Sequence, residues 1–252
     1  QKFQSNTKFN LSIVYKEFLP VSDARNEAAK IAKGDYFIFL DSDCLIPKGY
    51  LNAVDAALAL EPLHLFGGPD AARDDFSNLQ KAISYAMTAT LTTGGIRGKK
   101  KHVGAYHPRG FNMGISREAF EAVAGYNEDF KCGEDVELSI RIIEKGYRSG
   151  FIPQAYVYHK RRTTLTKFYR QVYRFGAARI NLWKTHPKEL KLAHLFPAAF
   201  VGFSIFSVIM IPLLTTLFFS ALALYCTLVF LDASLQNKSF SIGFLSVICV
   251  FT

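Results

Sequence analysis

The chain has 252 residues, half of them apolar, and a net charge of +9 at pH 7. This length accommodates one sizeable α/β domain and a further segment. Between residues 159 and 191 lie ten Lys or Arg and one acid, Glu189. Because no nucleic-acid motif accompanies this basic segment and an apolar run follows it, the charge favours membrane lipids or a phosphate-bearing ligand over nucleic acid.

The predicted elements alternate between strands and helices, which favours an α/β fold with a mostly parallel twisted sheet and helices on both faces. Apolar runs predict strands at residues 11–15, 36–40, 64–66, 111–115 and 151–158. Helical spacing between cap and stop signals, with Ser22 as the first cap, predicts helices at residues 22–34, 47–62, 76–91, 116–125, 134–146 and 165–183.

Residues 92–108 are rich in Gly, contain three consecutive lysines and show no apolar period. A surface loop of this length inside a compact domain is often a lid or a binding loop. A solvated bulge without function is the alternative.

The region from 195 to 231 contains no charged residue, and it is longer than the roughly 20 residues that cross a bilayer once. Pro212 divides it into two predicted spans, at 197–211 and 213–231; a single broken or re-entrant helix is the alternative. The basic segment before it predicts a multi-pass protein of the inner (cytoplasmic) membrane, with the preceding domain facing the cytoplasm.

We therefore expect an α/β domain at 1–164, an amphipathic, basic interfacial region at 165–194, two transmembrane helices at 195–231 and the start of a third at 240–252. The chain begins without Met and ends inside an apolar run, so we expect it to be truncated at both ends. The four cysteines, at 44, 132, 226 and 249, have no metal-ligand spacing and predict reduced, unpaired thiols.

Two carboxylates, Asp41 and Asp43, directly follow the predicted strand Tyr36–Leu40. Open α/β sheets bind ligands at the carboxyl ends of their strands. Two neighbouring acids repel each other unless a cation or a hydrogen-bond-donating ligand balances their charge. Mg²⁺ or Mn²⁺ that bridges to a diphosphate is one such ligand. A solvated turn before Pro47 is the other reading of the same residues.

A second acidic cluster, Glu134 and Asp135, follows Gly133 at the start of a predicted helix. Acids in a first helical turn are stabilised by the helix dipole, which is a sufficient structural reason for them. The chemical reading is a carboxylate base that deprotonates an incoming hydroxyl, while a metal neutralises charge on the leaving group. Two separate acid pairs suit those two tasks.

Together these residues resemble the family 2 glycosyltransferases, which are inverting enzymes with a nucleotide-diphospho-sugar binding domain of the GT-A fold. The matching segments lie at residues 22–34, 39–43, 109–113, 120–128, 133–138, 159 and 170–176. The resemblance is greatest to membrane-anchored bacterial exopolysaccharide enzymes of the succinoglycan type. The family's earlier strand, with its acidic residue for the nucleotide base, has no counterpart before Leu11.

The resemblance implies a donor side and a metal. Asp43, in the DXD motif, would ligate Mg²⁺ or Mn²⁺, and Asp41 would contact the ribose or the metal. Arg25 would hold the donor diphosphate. His159 would contact metal or phosphate; a buried histidine at the end of a strand is the alternative.

The resemblance also implies a base and an acceptor side. Asp135 would be the catalytic base, with Glu134 beside it binding acceptor or sugar. The remaining matched residues would bind the donor diphosphate (Arg170 and Arg174) and the sugar or acceptor (Arg109, Gly110, Asn112 and Gln171).

The implied reaction is sugar transfer from a nucleotide-diphosphate donor to a membrane-associated, lipid-linked saccharide acceptor. A processive polysaccharide synthase is one alternative, although Phe175 stands where the synthase motif Gln-x-x-Arg-Trp has Trp. A phosphatase of the haloacid dehalogenase type also carries Asp-x-Asp after a strand, but offers no place for Arg25 or for the second acidic cluster. A membrane-anchored sugar-binding module without turnover is the non-enzymatic alternative.

Overall fold

The computed structural model describes residues 13–15, 17, 19–93, 105–190, 192–210 and 212–252. Of the strand expected at 11–15, the described residues 13–15 are not in a strand, and the rest lies outside the described residues. Most of the loop expected at 92–108 also lies outside them.

The described helices are α1 (Val21–Ile31), α2 (Tyr50–Leu60), α3 (Asn78–Thr88), α4 (Thr90–Thr93), α5 (Arg117–Ala122), α6 (Glu134–Glu144), α7 (Leu165–Thr185), α8 (Phe196–Met210), α9 (Pro212–Asn237) and α10 (Phe240–Val250). The described strands are β1 (Tyr36–Leu40), β2 (Cys44–Leu45), β3 (Leu65–Gly67), β4 (Asp70–Ala71), β5 (Asn112–Ser116), β6 (Ser149–Phe151) and β7 (Val157–His159). Short 3₁₀ turns at Pro187–Glu189 and Leu192–Leu195 connect α7 to α8.

The strands form two small mixed sheets. The larger has the order β1-β5-β3-β6, with β5 antiparallel to both neighbours and β3 parallel to β6. The smaller has the order β2-β7-β4, with β7 antiparallel to β2 and parallel to β4. The α/β class is confirmed, but the expectation of mostly parallel pairing is corrected to mixed pairing, since β5 runs against both of its neighbours.

Helices cover both faces of the larger sheet, as expected. On one face Phe37 and Met113 pack in a buried cluster with residues of α1, α5 and α6. On the other face Phe66 packs with Tyr50 and Val54 of α2. The side chains alternate between the two faces along each strand, and burial of both apolar faces holds β5 in the centre of the domain.

Several predicted boundaries change for local reasons. Ser22 does not cap α1, because Pro20 is the N-cap residue and the Ser22 hydroxyl donates to the Phe130 carbonyl at 3.3 Å. Ser116 caps α5 as expected, by accepting from the Ala119 N–H at 3.2 Å. The strand expected at 151–158 is divided into β6 and β7, which belong to different sheets.

Among the described helices, α9 contains the one segment long and apolar enough to cross a membrane, the 24 residues Leu214–Asn237. The apolar parts of α8 and α10, Phe196–Ser207 and Phe240–Val250, are shorter. Two spans within 195–231 and a third at 240 therefore stay predictions. Helix α9 also continues past residue 231, through polar residues as far as Asn237.

The C-terminal helices pack on the α/β domain through α3. The Tyr85 hydroxyl donates to Oδ2 of Asp232 at 2.5 Å, and the Asn78 amide donates to the Ser241 hydroxyl at 2.8 Å. Ile83 of α3 is buried in a cluster with Ile242 of α10. These contacts fix the pair α9 and α10 against one helix of the domain.

Candidate functional site

A cavity of about 310 Å³ opens where β1 ends, between the start of α6 and one face of α7. Nine of the residues expected to form the site line it: Arg25, Asp41, Asp43, Arg109, Gly110, Glu134, Asp135, His159 and Gln171. The three others, Asn112, Arg170 and Arg174, do not. Residues from distant parts of the sequence are therefore brought to one site.

Strand pairing explains this assembly. Leu40, the last residue of β1, pairs with Asn112, the first residue of β5. The acids that follow β1 consequently lie beside Arg109 and Gly110, which precede β5.

Arg25 connects the two acidic clusters. Its guanidinium lies 2.8 Å from Oδ1 of Asp41 and 3.3 Å from Oε1 of Glu134, and it also donates to the Gly110 carbonyl at 3.1 Å. The ring of Tyr126 packs against it at 5.3 Å. Arg25 is thus a bridge that holds the carboxylates of Asp41 and Glu134 on one wall of the cavity.

The neighbouring residue, Asn26, fixes α1 in the orientation that the bridge requires. Its side-chain amide donates to the Tyr126 carbonyl at 2.9 Å, and its side-chain oxygen accepts from the Tyr126 N–H at 2.8 Å. Arg25 therefore lines the site, and the adjacent Asn26 holds the helix that carries Arg25.

Asp135 is held by backbone donors. Its Oδ2 accepts from the Gly110 N–H and its Oδ1 from the Val136 N–H, both at 2.8 Å. Gly133, in the left-handed region at φ 81°, turns the chain into α6 just before this carboxylate. The carboxylate is consequently fixed at the first turn of α6, where the dipole favours its charge.

Burial, and after it the charge of Asp135, raises the pKa of Glu134 above its ordinary value. Arg25 opposes that rise without cancelling it. Glu134 is therefore more easily protonated than a solvated glutamate.

A candidate metal cluster includes two of the lining residues, Asp43 and His159. Ligand atoms of Asp43, Cys44 and His159 all lie within 4.8 Å of one another. The cause is the register of the smaller sheet, in which Cys44 of β2 pairs with His159 of β7. Asp41 is not in this cluster, and its Oδ1 is paired with Arg25. The expected role of Asp41 as a metal ligand therefore stays a prediction.

The donor set of this cluster fits a divalent cation. Oδ1 of Asp43 and Nδ1 of His159 are buried, and no described residue forms a hydrogen bond with either atom. Nε2 of His159 lies 3.4 Å from Oδ1 of Asp43. The carboxylate suits Mg²⁺ or Mn²⁺, and the imidazole also suits softer ions. Burial raises the pKa of the neighbouring Cys44 thiol to about 12.

The sequence analysis missed the residues behind this cluster. Asp70, at the start of β4, is buried, pairs with the buried Arg161, and has a carboxylate oxygen 3.8 Å from Nδ1 of His159. This distance exceeds a hydrogen bond, so Asp70 places negative charge beside the imidazole without fixing its orientation. Its position three residues after Gly67, at the carboxyl end of a strand, was the available signal.

Asn112 has a structural role. It is 1% exposed; its side-chain oxygen accepts from the Tyr50 hydroxyl at 2.6 Å, and its amide donates to the Ala155 carbonyl at 2.7 Å. Because these bonds occupy the side chain inside the core, the expected contact with the sugar is corrected to a tie between β5, α2 and the turn before β7.

Arginines that carry no expected role complete the cavity. Arg179 of α7 and Arg162 line it together with Arg109. Burial, and then the charge of Arg109, lowers the pKa of Arg179. Asp135 and Glu189 attract Arg179, but within the described residues no acid lies at ion-pair distance from any of the three, so the cavity offers positive charge next to its carboxylates. Gln171, Phe175 and Arg179 are four residues apart, so they share one face of α7, and this spacing was the sequence signal that places Arg179 at the site.

Arg170 and Arg174 line a neighbouring cavity of about 320 Å³ instead. Gln171 lies between them on α7, Phe175 follows Arg174, and both Gln171 and Phe175 line both cavities. The segment Arg170-Gln171-Val172-Tyr173-Arg174 therefore divides its polar groups between two sites.

Fold and site together define the class: a mixed α/β domain whose cavity combines a carboxylate and an imidazole with buried ligand atoms for a cation, a second carboxylate held by backbone donors, and arginines for an anion. The family model of glycosyl transferase family group 2 matches residues 36–233. As this is more than half of the sequence, the chain belongs to that family, and the expected resemblance is confirmed.

Two relatives extend this comparison. The succinoglycan biosynthesis protein ExoA of Rhizobium meliloti (strain 1021) is 29% identical over 169 residues, which are 67% of this chain and 51% of the relative. The mannosyltransferase PcManGT from Pyrobaculum calidifontis, solved in complex with GDP-Man and Mn²⁺, has a TM-score of 0.56 and 16% identity, and the match covers 91% of this chain and 66% of that one. This chain thus spans about half the length of the curated relative, and the solved structure confirms the GT-A-like fold.

Proposed function

We propose that this chain is the catalytic part of an inverting glycosyltransferase of bacterial exopolysaccharide synthesis. It transfers a sugar from a nucleotide-diphosphate donor to a lipid-linked saccharide acceptor. The observation that carries the proposal is that Asp43 with His159 on one wall, and Asp135 on another, line one cavity. A metal-bound leaving group and a base require this arrangement.

Asp135 acts as the base. The acceptor oxygen attacks the anomeric carbon of the donor sugar, a C–O bond forms, and the bond from that carbon to the terminal diphosphate oxygen breaks. The hydroxyl proton passes to Asp135 and from there to water, while the nucleoside diphosphate leaves with the bonding electron pair. One displacement without an enzyme nucleophile inverts the configuration, as in inverting glycosidases.

Asp43 and His159 would hold the divalent metal, with Cys44 adjacent. When bound, the metal supplies positive charge for the diphosphate of the donor. Arg109 and Arg179 face the same space and stabilise the charge that develops on the departing diphosphate. Arg25 supports the donor side by keeping Asp41 in place.

The acceptor is proposed to be membrane-associated because α7 leads through two 3₁₀ turns into α8 and the apolar α9. The basic residues between 159 and 191 favour a cytoplasmic face for the domain at the inner membrane. A processive synthase is the second candidate within this class, since Gln171 and Phe175 line the cavity in the positions of the synthase motif.

The test uses the full-length protein in detergent with a panel of nucleotide sugars, Mn²⁺ or Mg²⁺, and a lipid-diphosphate saccharide acceptor. We expect release of nucleoside diphosphate with one donor, dependent on metal, and loss of both release and metal binding in Asp43→Asn. Addition of one sugar per acceptor supports single transfer, and long products support the synthase. Donor binding without any release would favour a binding module, and phosphate release from phosphomonoesters would favour a phosphatase.

A further inference from the structure

The second cavity, of about 320 Å³, is lined by five basic residues among eight: Lys131, Arg162, Lys167, Arg170 and Arg174. The other three are Cys132, Gln171 and Phe175, so no acidic side chain lines it. Three of these cations come from the exposed face of α7 and one from the loop before α6. The chain thus collects positive charge from separate elements around one concave surface.

These cations are not used inside the protein. In the part of the chain that the structure describes, no acid pairs with Arg162, Lys167, Arg170 or Arg174. Solvated surface arginines and lysines elsewhere do have acidic neighbours, as Arg73 has Asp75 at 3.2 Å. The positive charges around this cavity repel one another, and an anion bound between them would offset that repulsion.

This cavity adjoins the proposed metal and donor site and shares part of its lining with it. Asp43 and His159 line the first cavity and not the second. Five residues line both cavities: Lys131, Cys132, Arg162, Gln171 and Phe175. Lys167, Arg170 and Arg174 line only the second, so they are the cations that the first cavity does not share. An acceptor that carries its hydroxyl to Asp135 can thus extend across Gln171 into the second cavity.

We propose that the second cavity binds the diphosphate group of the acceptor. This inference rests on the proposed function and deepens it: the acceptor is a saccharide on a lipid diphosphate, whose anionic link is held by Lys167, Arg170 and Arg174. Arginine and lysine recognise phosphate oxygens through charge-assisted hydrogen bonds. Arg170 and Arg174, which the family resemblance assigns to the donor diphosphate, are therefore assigned here to the diphosphate of the acceptor.

The experiment measures binding to the full-length protein in neutral detergent by calorimetry. Geranyl diphosphate, without metal, is the probe for the acceptor group, and a nucleoside diphosphate with Mn²⁺ is the probe for the donor site. The variant is Arg170→Gln/Arg174→Gln, with Lys167→Gln as a milder second variant. Lys184→Gln/Lys188→Gln is the matched control, since it removes two basic residues of the same region that lie outside both cavities.

We expect the double variant to weaken geranyl diphosphate about tenfold or more, as loss of one or two charge-assisted bonds implies, and the control to change it less than about twofold. Lys167→Gln should show a smaller loss in the same direction. Affinity for the nucleoside diphosphate with Mn²⁺ should stay within about threefold in all three. Inorganic pyrophosphate should displace geranyl diphosphate, and phosphatidylglycerol micelles at equal phosphate concentration should not.

Three outcomes overturn the proposal. Equal weakening of the nucleoside diphosphate would return Arg170 and Arg174 to the donor site. Equal weakening in the control, or no weakening in any variant, would make the cavity a solvated charge cluster. Displacement by phosphatidylglycerol as effective as that by pyrophosphate would make it a surface for bulk anionic lipid. If the proposed transferase function fails, the Mn²⁺-dependent probe fails in the unmodified protein, whereas the metal-free probe still reports on this cavity.

Discussion

The backbone N–H of Gly110 donates a hydrogen bond of 2.8 Å to Oδ2 of Asp135. The loop before β5 thereby orients the carboxylate at the start of α6, across 25 residues of sequence. Each carboxylate oxygen has a further lone pair, so the bond fixes the group and leaves it able to accept a proton. A base in a fixed position is what the proposed transfer requires.

Asp135→Asn tests this role. The amide keeps the shape and cannot take the proton, so we expect sugar transfer to fall by about 10²- to 10⁴-fold, the usual contribution of a general base. Metal-dependent binding of the donor should stay within about threefold, measured by calorimetry. Asp129→Asn, an exposed acid in the loop before α6, is the control and should keep both properties. Loss of donor binding in Asp135→Asn would assign Asp135 to the donor side.

Arg25→Lys tests the bridge between the two acidic clusters. A lysine carries one charge but cannot reach Asp41, Glu134 and the Gly110 carbonyl at once, because only the planar guanidinium presents donors in several fixed directions. We expect the free energy of unfolding to fall by about 1–3 kcal/mol, measured by chemical denaturation in detergent. Arg73→Lys, at an exposed pair with Asp75, should change it by less than about 1 kcal/mol. Equal changes in the two variants would mean that the bridge contributes no more than a surface ion pair.

Gly110→Ala tests the close approach of Arg25 to the loop before β5. A Cβ at residue 110 would lie 2.8 Å from Nη1 of Arg25, so the guanidinium must move away from Asp41 and Glu134. We expect reduced transfer and lower stability, read by product formation and thermal unfolding. Gly176→Ala in α7 is the control: nothing lies within 4 Å of its Cβ, and alanine favours helix, so stability should rise by up to about 1 kcal/mol. A Gly110→Ala protein with unchanged transfer would show that Arg25 is free to shift.

The raised pKa of Glu134 predicts a pH dependence of stability. Burial and Asp135 raise it above 4.5, so the folded protein holds this proton more tightly than the unfolded chain does. The resulting stabilisation is complete below pH 4.5 and is lost as the pH rises through the folded-state value. Glu134→Gln removes it, so the unfolding temperature of the variant relative to wild type should rise as the pH increases above 4.5. Glu121→Gln, at an exposed position, should show no such trend, and a falling difference for Glu134→Gln would reverse the assigned direction.

The sequence predicted the elements that carry strong local signals. The strand Tyr36–Leu40 has the bounds that its aromatic run indicates, and α6 begins at Glu134 as Gly133 implies. Asp41 and Asp43 follow the end of that strand, and Glu134 and Asp135 follow Gly133, so local signals mark both acidic pairs; the family resemblance joins them in one site. Local chemistry is enough for these cases, since caps and apolar runs act within a few residues.

Partners that depend on register were not predictable in the same way. Cys44 meets His159 through a two-residue strand that has no periodicity to detect. Asp41 was expected at the metal and is held by Arg25, and Asn112 was expected in the sugar pocket and is buried. In both cases a contact across the fold decides which way the side chain turns, and a single sequence contains no record of that contact.

The hydrogen bond from Tyr85 to Asp232 predicts how the C-terminal helices serve the domain. This bond links α3 to α9 close to the end of the apolar segment, and Gln236 donates to the same carboxylate oxygen at 2.9 Å. Tyr85→Phe removes a charge-assisted bond while keeping the ring, so we expect a loss of about 1.5–3 kcal/mol in the free energy of unfolding. Tyr169→Phe, at an exposed position on α7, should stay within about 0.5 kcal/mol.

If α9 positions the domain at the bilayer, Tyr85→Phe should also lower transfer to a lipid-linked acceptor in vesicles more than it lowers slow hydrolysis of the donor to water. Hydrolysis needs only the cavity, whereas transfer needs the cavity held at the membrane surface. Both rates are measured as nucleoside diphosphate release, with and without acceptor. A parallel fall of the two rates would show that the bond from Tyr85 to Asp232 supports folding alone, and unchanged rates would separate α9 from the position of the domain.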